Sequence, residues 1–282
     1  MRNKSSLPRR EFLIGIVAGG LAGTMMGAAS AAEKAAKARP AGRRGKASMI
    51  AGGPSQDAAV HYSLHGIADQ MGKYSVPDGD FRPSESWTLQ YSFPIRSPRA
   101  NTLMIAKRAS PEGIAYSMTV KQNDGGVTLT IGANIDCAND RRLLKWKSQR
   151  RIPEYTAGPI PPVEETGVVS DTGIALTVGG LHVALAAAKP VIPFAGLLDA
   201  FACGVPPSGA FTLLDEFLAL KPVRTAAAAG ATQAKLASGT IPLTGYYYFG
   251  VGVHPTHVWA TDRGLPLFIT QGLRSYSLTA IR

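Results

Sequence analysis

The sequence predicts a β-rich α+β fold built on an antiparallel sheet. Three observations carry that expectation. Apolar and polar residues alternate through Trp87, Leu89, Tyr91 and Phe93, and again through Ile114, Tyr116, Met118 and Val120. This is the period of a half-buried strand. Asn123-Asp124-Gly125-Gly126 then supplies a hairpin turn, because Asp-Gly tolerates the positive φ of a tight loop, and Val127, Leu129 and Ile131 run back. Residues 241–281 fall into four strand-like runs with no helical stretch of crossover length between them, so neighbours must pair antiparallel.

The chain begins with a different kind of segment. Arg2, Lys4, Arg9 and Arg10 precede an uncharged stretch from Phe12 to Ala32, and Glu33, Lys34, Lys37 and Arg39 restore polarity. A basic start, a short apolar middle and a small-residue exit describe a secretory signal. Arg9-Arg10-Glu11-Phe12-Leu13 resembles the twin-arginine consensus, with Pro8 and Ile14 departing from it. Gly15, Gly19, Gly20, Gly23 and Gly27 keep the middle weakly hydrophobic, and Ala29-Ser30-Ala31 fits a cleavage site. The expectation is a twin-arginine signal over 1–31, with export to the periplasm or envelope by the twin-arginine translocase. An uncleaved anchor is the alternative, since the uncharged stretch is close to the roughly 20 residues that span a bilayer.

The net charge of +11 divides unevenly. The signal contributes +3 and residues 32–50 contribute +5, which leaves +3 for residues 51–282. A nearly balanced domain in an exported chain argues against nucleic acid as a partner. Residues 32–59 are Ala, Lys, Arg, Gly and Ser with almost no large apolar side chain. They read as a flexible basic linker suited to weak association with anionic polymers or lipids. A single β-rich domain is expected over 60–282.

Along that domain, Thr102 to Lys107 forms the second strand after Ser97-Pro98-Arg99, and His61 to Tyr74 carries no clear period. Residues 153–167 read as loop. Thr172 to Leu185 reads as strand, Gly179-Gly180 turn, strand. Phe211, Leu214 and Leu218, with Leu213, Phe217 and Leu220, are spaced by three and four and predict a short helix over 211–220. Residues 225–239 read as loop or weak helix. Strands are expected over 241–252, 256–261, 265–270 and 274–281, with Leu265, Leu267 and Ile269 sharing one buried face. Gly264, after Asp262-Arg263, is expected at positive φ.

Gly250-x-Gly252-x-x-Pro255-x-x-x-Trp259, Asp262-x-Gly264-x-Pro266-Leu267 and Gly272-x-x-x-Tyr276-x-Leu278 together resemble the C-terminal end of uncharacterised exported proteins of planctomycete-type bacteria. More distantly, the pattern is similar to periplasmic domains of unknown function with a lipoprotein-carrier-like half-barrel. The resemblance implies a curved antiparallel sheet or half-barrel with one or two short covering helices and an apolar concave side. It implies no chemistry.

Candidate chemistry is sparse. Arg141, Arg142, Lys145 and Arg150 cluster around Trp146 as a candidate anion patch, against the alternative of a solvated edge strand. Cys137 and Cys203 permit a disulfide in an exported chain, with two buried free thiols equally open. No metal or cofactor motif is present in the sequence. Tyr246, Tyr247, Tyr248 and Phe249 put aromatic rings on both faces of one strand. Tyr246, Tyr248 and Phe268 are the candidate ligand-binding residues.

The function these features suggest is a non-catalytic exported envelope protein binding an apolar or lipid-like ligand on the concave face. A small periplasmic hydrolase using His254, His257 and Asp262 is the alternative from another class. A structural or scaffold module is the third.

Overall fold

The computed structural model describes residues 61–93, 101–124, 127–151, 161–186, 190–250, 255–272 and 274–282. All of them belong to the unit Pro54–Arg282. The expected signal and linker, His254 and the turn at 97–99 lie outside the described residues.

Alternation builds the first part of the sheet. In β1 (Trp87–Ser92), Trp87, Leu89 and Tyr91 are buried while Thr88, Gln90 and Ser92 are not. β2 (Thr102–Ser110), β3 (Gly113–Asp124), β4 (Val127–Cys137), β5 (Leu143–Arg151), β6 (Val163–Ser170), β7 (Gly173–Val178) and β8 (Leu181–Leu185) follow as an antiparallel meander. Asp124 pairs with Val127, so the hairpin expected there has the register its turn residues imply. Gly179 and Gly180 turn β7 into β8 with φ of 56° and 87°, as a tight two-residue hairpin needs.

From β8 the chain passes to β9 (Val191–Pro193), the parallel partner of β10 (Phe211–Leu214). Antiparallel strands β11 (Leu220–Leu236), β12 (Gly239–Phe249), β13 (Thr256–Ala260), β14 (Pro266–Gln271) and β15 (Arg274–Ile281) complete the order. β15 pairs with β1, giving one 15-stranded sheet that runs from β8 through β1 and β15 to β9. It remains open, since β8 and β9 are its two ends. The expected β-rich fold with a curved antiparallel sheet is therefore the one observed.

Among the described residues, three short helices cover it. α1 (Tyr62–His65) and α2 (Ala68–Met71) lie in the stretch that has no clear period in the sequence. α3 (Phe194–Ala202) connects β9 to β10 and is buried at every residue. It packs on the inner face of the sheet, touching β3 on one side and β13 and β14 on the other. One helix meeting strands so far apart in sheet order requires the sheet to curve around it. Along these strands the concave face is therefore filled by α3.

Four local expectations are corrected. The helix expected at 211–220 is strand β10 followed by a turn, in which the Asp215 carboxylate accepts the backbone N–H groups of Phe217 and Ala219 at 3.0 and 2.8 Å. Phe211 to Leu214 is buried on both faces, and a run of that kind shows no strand period. Residues 225–239, expected as loop or weak helix, fall in β11 (Leu220–Leu236) and the turn into β12. β6 begins at Val163, inside the expected loop. The basic segment forms β5, an interior strand between β4 and β6 and not a sheet edge.

β13 and β14, like β9 and β10 and unlike the strands of the meander, are buried on both faces. Val258, Leu267, Ile269, Tyr276 and Leu278 face α3, while His257, Trp259, Phe268 and Thr270 point to the outer face and are buried as well. The outer layer is the α1–α2 segment. Its Ser63 hydroxyl accepts the Trp259 indole N–H at 3.0 Å, and Tyr74 packs on Phe268 with ring centroids 4.9 Å apart.

Candidate functional site

Several places in the described residues combine polar side chains with burial or concavity. The first is the seat of α3. Asp199 is fully buried in the helix. Lys107 Nζ donates to its Oδ1 at 2.7 Å, while Arg141 Nε and the Tyr116 hydroxyl donate to its Oδ2 at 2.6 and 3.0 Å. Lys107 also donates to the Pro83 carbonyl at 2.6 Å, and an Arg141 Nη lies 3.0 Å from Cys203 Sγ. Arg141 reaches inward from a turn with φ of 69°, a conformation disfavoured for a side-chain-bearing residue. Burial raises the Tyr116 hydroxyl pKa well above its ordinary value, and the neighbouring Asp199 carboxylate adds to this, so the phenol stays a donor. Both Asp199 oxygens are occupied by donors of the chain itself. The arrangement ties α3 to β2, β3 and the β4–β5 turn.

Neither Asp199 nor Lys107 is singled out by motif. A signal for them does exist. Asp199 is the lone charge within Phe194-Ala-Gly-Leu-Leu-Asp-Ala-Phe-Ala202, and Lys107 occupies the buried parity of Leu103 and Ile105. A charge placed at a core position needs a partner of opposite sign.

The second place absorbs the rest of the basic cluster. The Glu165 carboxylate, itself buried, accepts the Trp146 indole N–H at 2.8 Å and an Arg150 Nη at 3.2 Å. Gly167 lies beneath the Trp146 ring, where a Cβ would overlap the indole. Arg142 pairs with Asp140 at 2.6 Å and Lys145 with Asp136 at 3.3 Å. Of the four candidate anion-patch residues, Arg141 turns to the interior, and each of the four has a carboxylate of its own. They do not converge on one site.

The third place is an aromatic and histidine cluster beneath α1 on the outer face. His257 Nε2 lies 3.3 Å from the Tyr62 hydroxyl, and its ring centroid is 5.1 Å from that of His61. Trp259 donates to Ser63 Oγ, which lies 3.0 Å from His61 Nδ1. Burial lowers the His257 pKa to about 4, with the neighbouring His61 adding to the effect. Burial also lowers that of His61, with help from His65. Burial thus disfavours the charged form of both rings, and the contact of His257 Nε2 with the Tyr62 hydroxyl links β13 to α1.

Of the hydrolase set, His257 and Asp262 are described, and they stand at opposite ends of β13. His257 faces α1 from near the start of β13. Asp262 stands in the turn after the other end of that strand, where its carboxylate accepts the Arg263 N–H at 2.9 Å.

The fourth place is a cleft of about 310 Å³ at the end of the sheet. Val76, Pro77 and Phe81 form one wall, Ile241 and Pro242 of β12 another, and Leu265 closes the base. Thr261, Asp262 and Arg263 stand at its polar side. Gly264 holds the β13–β14 turn tightly with φ of 78°, as expected. A Cβ there would meet the Ala202 carbonyl at the end of α3. A larger groove of about 570 Å³ crosses the outer face of β1–β4, bordered by Arg108, Asn134, Asp136 and Arg282.

The candidate ligand-binding aromatics divide between the two faces of the sheet. Tyr246 stacks on Phe201 of α3, with centroids 5.1 Å apart and planes 6° from parallel. Tyr248 shares its parity and is buried. Phe268 lies on the opposite face under Tyr74. Cys137 and Cys203 are both free thiols, and burial raises the Cys137 thiol pKa.

No family model matches the chain, and no curated protein is similar to it. Among solved structures, it is similar to the crystal structure of a β-barrel-like protein of domain of unknown function DUF1849 from Brucella abortus. That likeness has a TM-score of 0.45 at 9% identity, covering 71% of this chain and 98% of the other.

Proposed function

We propose that the chain is an exported, non-catalytic module that binds an apolar or lipid-like molecule in the cleft beside the β13–β14 turn. The observation that carries this reading is the wall composition. Val76, Phe81, Ile241 and Leu265 line about 310 Å³, with Asp262 and Arg263 on one side only. A small apolar cavity with a few polar groups at its mouth suits an aliphatic body with a polar end. The volume is at the lower end of ligand pockets, so one short chain or one ring system fits better than a diacyl lipid.

The non-catalytic part rests on how the buried polar groups are used. Asp199, Glu165 and His257 each have partners from the chain itself, and none of them lines the cleft beside the β13–β14 turn. Export rests on Arg9-Arg10-Glu11-Phe12-Leu13 and the weakly apolar stretch after it. Native mass spectrometry of protein recovered from its own envelope tests the binding. The reading expects an adduct of lipid-like mass that is lost in Ile241→Asp, a change on the half-exposed cleft wall. Recovery without any adduct, or an adduct that Ile241→Asp retains, contradicts it.

A further inference from the structure

The two ends of the sheet are finished differently. At one end, β9 is bounded by Pro190 and Pro193, its residues are all buried, and it lies against β5. At the other, β8 is terminal among the described residues. Leu181 and Val183 are 58% and 45% exposed there. Pairing with β7 sets Val183 beside Leu176 and Leu185 beside Ile174, both core residues. Leu181, Val183 and Leu185 therefore prolong the inner apolar layer by one strand, beyond what the described residues cover.

The backbone of that strand has a defined free side. Val178 and Leu181 flank a two-residue loop, so they form the hydrogen-bonded pair next to the turn. Alternation then directs the N–H and C=O groups of Leu181, Val183 and Leu185 toward β7 and those of His182 and Ala184 outward. Lys and Pro are the usual guards of a free edge, and β8 has neither.

We propose that β8 pairs antiparallel with β8 of a second copy, joining the two sheets across a two-fold axis at Val183. The register follows from the free groups. His182 of one copy exchanges hydrogen bonds with Ala184 of the other, and the reverse, with Val183 facing Val183 in a non-hydrogen-bonded pair between them. Leu181 then meets Leu185 of the second copy on the inner face, so the apolar row matches itself when turned by the two-fold. β7 and β8 contain no Asp, Glu, Lys or Arg, so two copies approach without like-charge repulsion at the contact. A strand that is self-complementary in pattern, length and charge fits an isologous contact. A contact of two five-residue strands is small, so the dimer is concentration-dependent.

Sedimentation of the purified chain over a concentration range tests this, with folding of each variant checked by its melting curve. The wild type is expected to shift from monomer to dimer. Val183→Lys, which places two ammonium groups face to face at the axis, weakens the dimer at least about tenfold. Ala184→Pro removes an outward N–H without touching the bonds to β7, and it weakens the dimer too. Residues paired without hydrogen bonds have Cα atoms about 4.5 Å apart, within disulfide reach. Val183→Cys is therefore expected to crosslink under mild oxidant. Val168→Cys, equally exposed on β6, is expected to stay at the wild-type background. A monomer at every concentration, a dimer unchanged by Val183→Lys, or equal crosslinking from Val168→Cys overturns the proposal.

Discussion

β3 and β14 both carry large apolar residues, but they bury them in different settings. β3 has one covered face: Tyr116, Met118 and Val120 are buried while Ala115 and Ser117 are exposed. β14 has two: Leu267 and Ile269 meet the α3 layer, and Phe268 and Thr270 meet the α1–α2 layer. A strand with one covered face carries its orientation in its own alternation. A strand with two covered faces depends on a layer supplied from elsewhere in the chain, here the segment just before β1. The C-terminal strands are accordingly the place where the N-terminal and C-terminal parts of the domain are fastened together.

The largest expected effect strikes the inner layer that both regions share. Asp199→Ala leaves the buried Lys107 and the partly buried Arg141 without their counter-charge, and breaking a buried pair in this way costs about 3–5 kcal/mol. Urea denaturation should show it. A loss below about 1 kcal/mol would mean that α3 is not held by that carboxylate. The outer layer should respond to acid. His61 and His257 take up protons less readily folded than unfolded, so the unfolded chain binds more protons as pH falls. Stability that the histidines contribute is fully present above about 6.5 and is lost as pH falls toward about 4. His257→Gln should flatten the upper part of that pH profile. The smallest effects separate the two kinds of outer face. The Thr270 hydroxyl is buried with no hydrogen-bond partner among the described residues. Thr270→Val should then be neutral or stabilise by up to about 1 kcal/mol. Ser117→Ala, on the exposed outer face of β3, should change stability by less than about 0.5 kcal/mol.

The same contrast explains what could be read from the sequence. β1, β3 and β4 are legible because one face meets water and the polar residues mark it. The β7–β8 hairpin and the Gly264 turn are legible because glycine is required at positive φ. β14 and β15 are placed correctly by their turns, and Leu267 is correctly assigned to a buried face. Thr270, on the parity opposite Leu267, is buried as well, because period alone does not reveal a second layer. Phe211 to Leu214 and Phe194 to Ala202 are both nearly continuous apolar runs, and only their tertiary setting makes one a strand and the other a helix. The basic cluster misleads for a related reason. Its positive residues are close in sequence, but their carboxylate partners Asp199 and Glu165 come from other elements. The cleft joins residues from positions 76 to 265 and leaves no contiguous trace.

The second covered face of β14 is open to the most direct test. Leu267→Ala and Phe268→Ala are neighbours of opposite parity, and their urea melts should be compared under one condition. Both should destabilise strongly, Leu267→Ala by about 2–5 kcal/mol and Phe268→Ala by about 3–5 kcal/mol. A large loss from Leu267→Ala with less than about 1 kcal/mol from Phe268→Ala would show that the outer face is open, and would contradict the α1–α2 layer on which the comparison stands.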